Sequence, residues 1–226
     1  MKYLQQIKTV VWKDLKVELR TKDMLASMIV FALLVIVIFA FVFDPAGTEL
    51  EGVFPGVMWV IFIFSGLLCL NRSFMIEKYN NSIFGLILCP VDKSVIYFGK
   101  LIANLTLMFI IEAVALFFLM ILFGYSIAGP LWQLVIVIFL GTFGFVAIGT
   151  FLAALTSNID GSEVLLPVIL LPMIVPLIIG VVELTAGVVE EGAGITEVVS
   201  WLNLIIVYDL IFTVVPFMLF DFLMEV

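Results

Sequence analysis

The sequence predicts an all-α integral membrane protein: six transmembrane helices preceded by one amphipathic interfacial helix. Three observations carry this. Hydrophobic residues fill 65% of the 226 positions and charged residues only 12%, against about half and a quarter in a soluble domain. With a mean hydropathy of +1.34, so short a chain has too little interior to hide its apolar surface from water. The apolar residues come in long runs, without the period-two alternation of a membrane β-barrel. All ten Lys and Arg residues fall within the first 100 positions, an asymmetry that orients a polytopic chain.

A spanning helix needs roughly 20 apolar residues. Ala26–Phe43 and Val53–Leu70 each run 18 residues without a charge. Leu101–Tyr125 is interrupted only by Glu112, and Leu131–Ser157 follows the helix-breaking turn Ser126–Pro130. Val164–Val182 contains Pro167, Pro172 and Pro176, and Val198–Phe220 contains Asp209. Helices satisfy their own backbone in lipid, and six of them account for nearly all of a single domain, 1–226. Ahead of them, Met1–Lys22 carries Leu4, Ile7, Val11, Leu15 and Leu19 at spacings of three and four, with Lys8, Lys13, Lys16 and Arg20 mostly off that stripe. This is an amphipathic helix for the headgroup layer; a sharper reading makes it an elbow that also supports a cytoplasmic partner. The 25 or so residues before the first span, and the lack of a small-x-small site after Phe43, argue against a cleaved signal peptide.

Six spans with an inside N-terminus place both basic clusters, residues 2–22 and 72–100, in the cytoplasm together with both termini. The opposite loops then carry acids alone: Asp44, Glu49 and Glu51, and Glu183, Glu190, Glu191 and Glu197 in an outer loop, 183–197. Trp132 and Trp201 fall at outer ends, Trp59 toward one, and Trp12 on the cytoplasmic flank, as an aromatic belt would place them.

Absences narrow the chemistry. There is no His, hence no imidazole base and no His ligand for zinc or heme iron. Two Cys cannot build a disulfide framework; Cys69 and Cys89, at the reducing face, are read as packing residues, and the ten Met residues likewise. A net charge of −8 argues against nucleic acid. No P-loop motif is present, so the chain cannot cradle a nucleotide by that route. No metal or cofactor site is expected in this chain.

Polar residues inside the spans are the candidates for function. An acid at the bilayer centre costs about 2.5–3.5 kcal/mol on insertion scales, and no Lys or Arg is expected in the membrane beside Glu112 or Asp209. Each is therefore neutral and hydrogen-bonded to a residue such as Asn104 or Thr213, or it lines a transport path or subunit interface. The three prolines of the fifth span remove backbone donors and predict a kinked span or a re-entrant hairpin. Gly141, Gly144, Gly149 and Ala153 allow close helix approach, within one subunit or at a dimer seam. Residues 72–100 form the longest inside segment. Its polar run, Arg72 to Ser82, leads into Ile83-Phe84-Gly85-Leu86-Ile87-Leu88-Cys89-Pro90, too apolar for a free loop, and a short helix across the inner face is expected there.

This layout resembles permeases of the ABC-2 type, with a type V exporter-like fold: an amphipathic helix, two spans, a cytoplasmic segment closing in a Leu-rich phrase before proline, then four spans. The closer likeness is to the heme exporter protein B (CcmB) family of cytochrome c maturation. It rests on Glu77, Ser82-Ile83 and Leu86 to Val91; on Gly141-Thr142, Gly149 and Ala153-Ala154-Leu155-Thr156; and most specifically on Leu171-Pro172-Met173-Ile174-Val175-Pro176-Leu177-Ile178-Ile179-Gly180. Asn81, Phe84 and Asn104 depart from the family's usual Gly, Glu and His. The resemblance implies a non-catalytic permease subunit in a bacterial inner membrane. It also implies a homodimer, a separate CcmA-like ATPase subunit holding ATP and Mg, CcmC-like and CcmD-like neighbours, and heme as cargo of the complex. It makes Glu77, Lys78, Tyr79, Asn81, Ser82, Cys89 and Pro90 the segment that couples to the ATPase. Three other readings remain: an ABC-2 permease for a lipid, polysaccharide or drug; a proton-coupled secondary transporter using Glu112 and Asp209; and a non-transporting scaffold.

Overall fold

A computed structural model describes residues 2–43, 52–79, 92–124, 129–157, 159, 161–189 and 199–223; for 2, 76–79, 162 and 221–223 it describes the backbone alone. The described residues form seven helices: α1 (Lys2–Thr21), α2 (Asp23–Val42), α3 (Phe54–Tyr79), α4 (Lys93–Phe123), α5 (Leu131–Ser157), α6 (Ser162–Val189) and α7 (Val199–Leu223). The last six are long and apolar enough to cross a membrane, and the protein is an all-α, multi-pass membrane protein.

The bundle has enclosed helices and lipid-facing ones. In its spanning window α3 is 72% buried, whereas α2 is 17% buried. Along α2 only Met24, Met28, Ala32 and Ile36 are fully buried, one per helical turn. Val30, Leu34, Ile38 and Phe41 stay open, which fits an apolar solvent. Lipid is as apolar as leucine, so close packing must hold the centre together. Glycine provides it on α5. A Cβ on Gly141 would overlap the rings and methyls of Trp59 and Val181, and one on Gly149 would overlap Leu70. Gly144 lies against Asp209 and Leu177. These approaches are all filled by the chain's own helices.

Several expectations change in detail. The second span does not stop near Leu70: α3 runs on to Tyr79, and α4 begins at Lys93. The described part of the expected inner-face helix, 72–79, is therefore the end of a spanning helix. Asn81, Ser82, Cys89 and Pro90 lie outside the described residues. The outer loop also begins later than 183, because α6 continues to Val189 and includes Glu183.

The three prolines sit in one uninterrupted helix, so the re-entrant alternative does not form over Ser162–Val189. Pro167 cannot donate to the carbonyl four residues earlier, that of Glu163. Asn71 Nδ2 on α3 donates to that oxygen instead, at 3.4 Å. The Tyr208 hydroxyl donates to the Met173 carbonyl, in the turn between Pro172 and Pro176, at 3.2 Å.

The interfacial helix also differs from a plain surface anchor. Ile7 is buried and Val11 half-buried, but Leu4 and Leu19, in the same stripe, are 73% and 62% exposed. The helix is docked through part of its apolar face. The chain leaves it through Lys22, whose φ of 59° is left-handed, and buried Glu18 caps the next helix by accepting from Leu25 N at 2.9 Å.

Candidate functional site

Two polar constellations lie inside the bundle: one at the end where α1 docks, the other midway along the spans. At the α1 end, Lys100 is only 2% exposed. Its Nζ lies 3.0 Å from Asp14 Oδ2 on α1, a charge contact without hydrogen-bond geometry; it donates to the Ser73 carbonyl on α3 at 3.0 Å and stands 5.2 Å from the Phe74 ring centroid. Lys13 lies 3.1 Å from the other oxygen of Asp14. Close by, Val10 fills the space that a side chain at Gly99 would need, and the Tyr3 and Ser94 hydroxyls meet at 3.0 Å. Arg72 pairs with Asp23 at 2.9 Å in an exposed position, where an ion pair contributes little. Lys100 was expected as a loop cation at the mouth of the third span; it is instead a buried cation two turns inside α4. Removing Asp14 takes the carboxylate from the buried ammonium, at a cost of about 3–5 kcal/mol; removing Lys100 leaves Asp14 with Lys13.

The second constellation contains the two acids singled out in the sequence. Glu112, 3% exposed, accepts from Thr142 Oγ1 on α5 at 2.5 Å. Asn104 is not its partner: Asn104 Nδ2 donates to Thr150 Oγ1 at 3.1 Å, with the Cys69 sulfur 4.0 Å from its oxygen. Cys69 is fully buried, as a packing residue should be. Nor does Thr213 satisfy the Asp209 carboxylate; its hydroxyl donates to the Asp209 backbone carbonyl at 2.6 Å. Oε2 of Glu112 and both carboxylate oxygens of Asp209 lack a hydrogen-bond partner among the described residues. The acids do not meet. They bracket α5, Glu112 at Thr142 and Asp209 against Gly144, two residues on and so roughly 200° around the helix. Nor does Lys100 reach Glu112, which lies twelve residues further along α4, about 18 Å.

Beside Glu112 a small cavity is lined by Trp59, Phe62, Met108, Thr142, Phe145 and Leu177, among others. It has space for about one water molecule. Trp59 was expected at an aromatic belt. It is 2% exposed, and its indole N–H donates to Thr185 Oγ1 on α6 at 2.9 Å. Trp12 and Trp132 are 65% and 61% exposed.

Of the expected coupling residues, Glu77, Lys78 and Tyr79 form the last turn of α3, with only their backbone described; the other four lie beyond the described residues. Asp14, Glu18 and Thr142 were not anticipated. The first two carried a readable signal: at 3.6 residues per turn Glu18 falls between Ile7 and Val11 on the wheel and Asp14 about 20° outside Ile7, one acid inside the apolar stripe and one at its edge.

Fold and interior together define the class: a multi-pass, all-helical membrane protein with polar groups that tie helices to one another. The comparisons make this particular. A family model described as CcmB protein matches residues 5–223. Heme exporter protein B of Rhodobacter capsulatus is 28% identical over 169 residues, 74% of this chain and 76% of the relative. Those of Haemophilus influenzae, 28% over 174 residues, and Paracoccus denitrificans, 27% over 176 residues and 79% of its length, are similar to it in the same way. The chain belongs to the CcmB family.

Proposed function

We propose that this chain is the transmembrane permease subunit of an ATP-driven complex that serves heme delivery for cytochrome c maturation. The observation that carries the reading is the family match across 5–223, reinforced by relatives named heme exporter protein B. In this reading a separate CcmA-like subunit hydrolyses ATP with Mg, CcmC-like and CcmD-like subunits stand nearby, and two copies of this chain pair. Both termini and the 72–100 segment face the cytoplasm, as the Lys and Arg distribution supports.

Heme is the cargo of the complex. The cavity beside Glu112 holds about one water, so a porphyrin does not fit between those helices as they stand. This favours a mechanical role: ATP-driven rearrangement of the bundle that releases a heme-loaded chaperone from its CcmC-like neighbour. Purification of the tagged chain in mild detergent tests the assembly. A P-loop ATPase and heme-handling subunits should co-purify. Recovery of the chain alone, from cells still maturing cytochrome c, would overturn the reading.

A further inference from the structure

Lys100 occupies an unusual crossroads. Its ammonium touches three helices: α1 through Asp14, α3 through the Ser73 carbonyl and the Phe74 ring, and α4, which carries it. Ser73 lies six residues before Tyr79, where α3 ends, and Lys100 seven residues after Lys93, where α4 begins. The roots of the chain on either side of residues 80–91 are thus tied to each other and to α1 by one buried charge. Around that tie the surfaces interlock, Val10 against Gly99 and Tyr3 against Ser94. Surface anchoring alone would not require an ammonium buried to 2% exposure, because a lysine near the end of a spanning helix can snorkel and keep its charge in water.

We propose that Lys100 is a positioning residue for energy coupling. With Asp14 it fastens α1 to the roots of α3 and α4, so that the three move as one lever when the segment between them is pushed. The proposal rests on the ATP-driven reading above. The lever gives that push a defined recipient: α4, which carries Glu112, moves with the interfacial helix and not past it.

The test uses the complex in native membranes. A short bis-maleimide joins cysteines placed by Tyr3→Cys and Ser94→Cys, and its yield reports whether α1 is docked. Lys100→Glu and Asp14→Lys, each alone, should lower that yield about fivefold, and the double exchange should restore part of it, regaining the charge pair but not the bond to the Ser73 carbonyl. Each single variant should also lose about tenfold in mature c-type cytochrome per chain, while ATP hydrolysis by the purified complex stays within about twofold of wild type. The double exchange should recover cytochrome. Unchanged cross-linking in the single variants, or failure of the exchange to rescue, would overturn the proposal. A second arm avoids weakened folding: with Asp14 and Lys100 intact, cross-linked and uncross-linked Tyr3→Cys/Ser94→Cys chains should mature cytochrome equally. If the clamp stops maturation, α1 must part from α4 during the cycle, and the lever is wrong. Cytochrome maturation that needs no ATPase subunit would instead sink the parent reading, while the cross-linking yields still decide the fastening.

Discussion

The two polar constellations handle buried charge in opposite ways. At the α1 end, Lys100 meets an acid, a carbonyl and an aromatic ring from two other helices. Midway along the spans, Glu112 has one hydroxyl and Asp209 lies against Gly144, leaving three carboxylate oxygens without a hydrogen bond among the described residues, whereas Asp14 Oδ2, which also lacks one, faces the Lys100 ammonium. Removing a partner should therefore cost most at the first site and little at the second. The first site has the character of a fixed joint. The second is under-satisfied, which is what a bundle with more than one arrangement can tolerate.

The largest effect is expected at the joint. Lys100→Met takes the buried ammonium away from Asp14, the Ser73 carbonyl and the Phe74 ring at once and should lower stability in detergent by about 3 kcal/mol, measured by unfolding of the purified chain. A loss below about 0.5 kcal/mol would mean that the pair is no tighter than a surface pair. Next comes Gly144→Val, whose side chain must displace Asp209 and Leu177 and should cost about 1–3 kcal/mol by overpacking. Thr142→Val removes the one hydroxyl on Glu112; polar pairs inside membranes average about 0.6 kcal/mol, and a loss near that value is expected. The smallest change belongs to Asp209→Asn. With no hydrogen bond to lose, it should unfold within about 0.5 kcal/mol of wild type. A larger loss at Asp209 than at Lys100 would invert the comparison.

How legible each region was in the sequence follows the same division. Hydropathy found the six spans because lipid enforces them along the chain. It missed the ends of α3 and α4, where Arg72 to Tyr79 and Lys93 to Lys100 are polar enough to read as loop yet remain helical. Residues two to three turns beyond a hydrophobic core can continue a helix in water or against protein, and local composition does not tell the two apart. Glu112 and Asp209 stood out because an acid in lipid is costly. Their neighbours did not, since Thr142 and Gly144 are named only by how α4 and α7 pack on α5. Lys100 looked like an ordinary inside-loop cation because its partner is 86 positions away. The Asn71 donation to the carbonyl freed by Pro167 was likewise beyond reach: the sequence shows the missing donor but not the replacement. Trp59 counted toward a belt by position along its span, a coordinate that says nothing of which side of α3 it occupies.

The central claim is that this chain is a membrane subunit moved by a partner's ATP hydrolysis in the service of cytochrome c maturation. Its most direct measurement is complementation. The gene is returned to cells lacking this subunit, alongside an ATPase subunit that is either wild type or carries a replaced P-loop lysine, and covalently attached heme is quantified in c-type cytochromes. The account predicts restored heme attachment with the intact ATPase and none with the replaced lysine, at equal levels of this chain in the membrane. Restoration with both would contradict it.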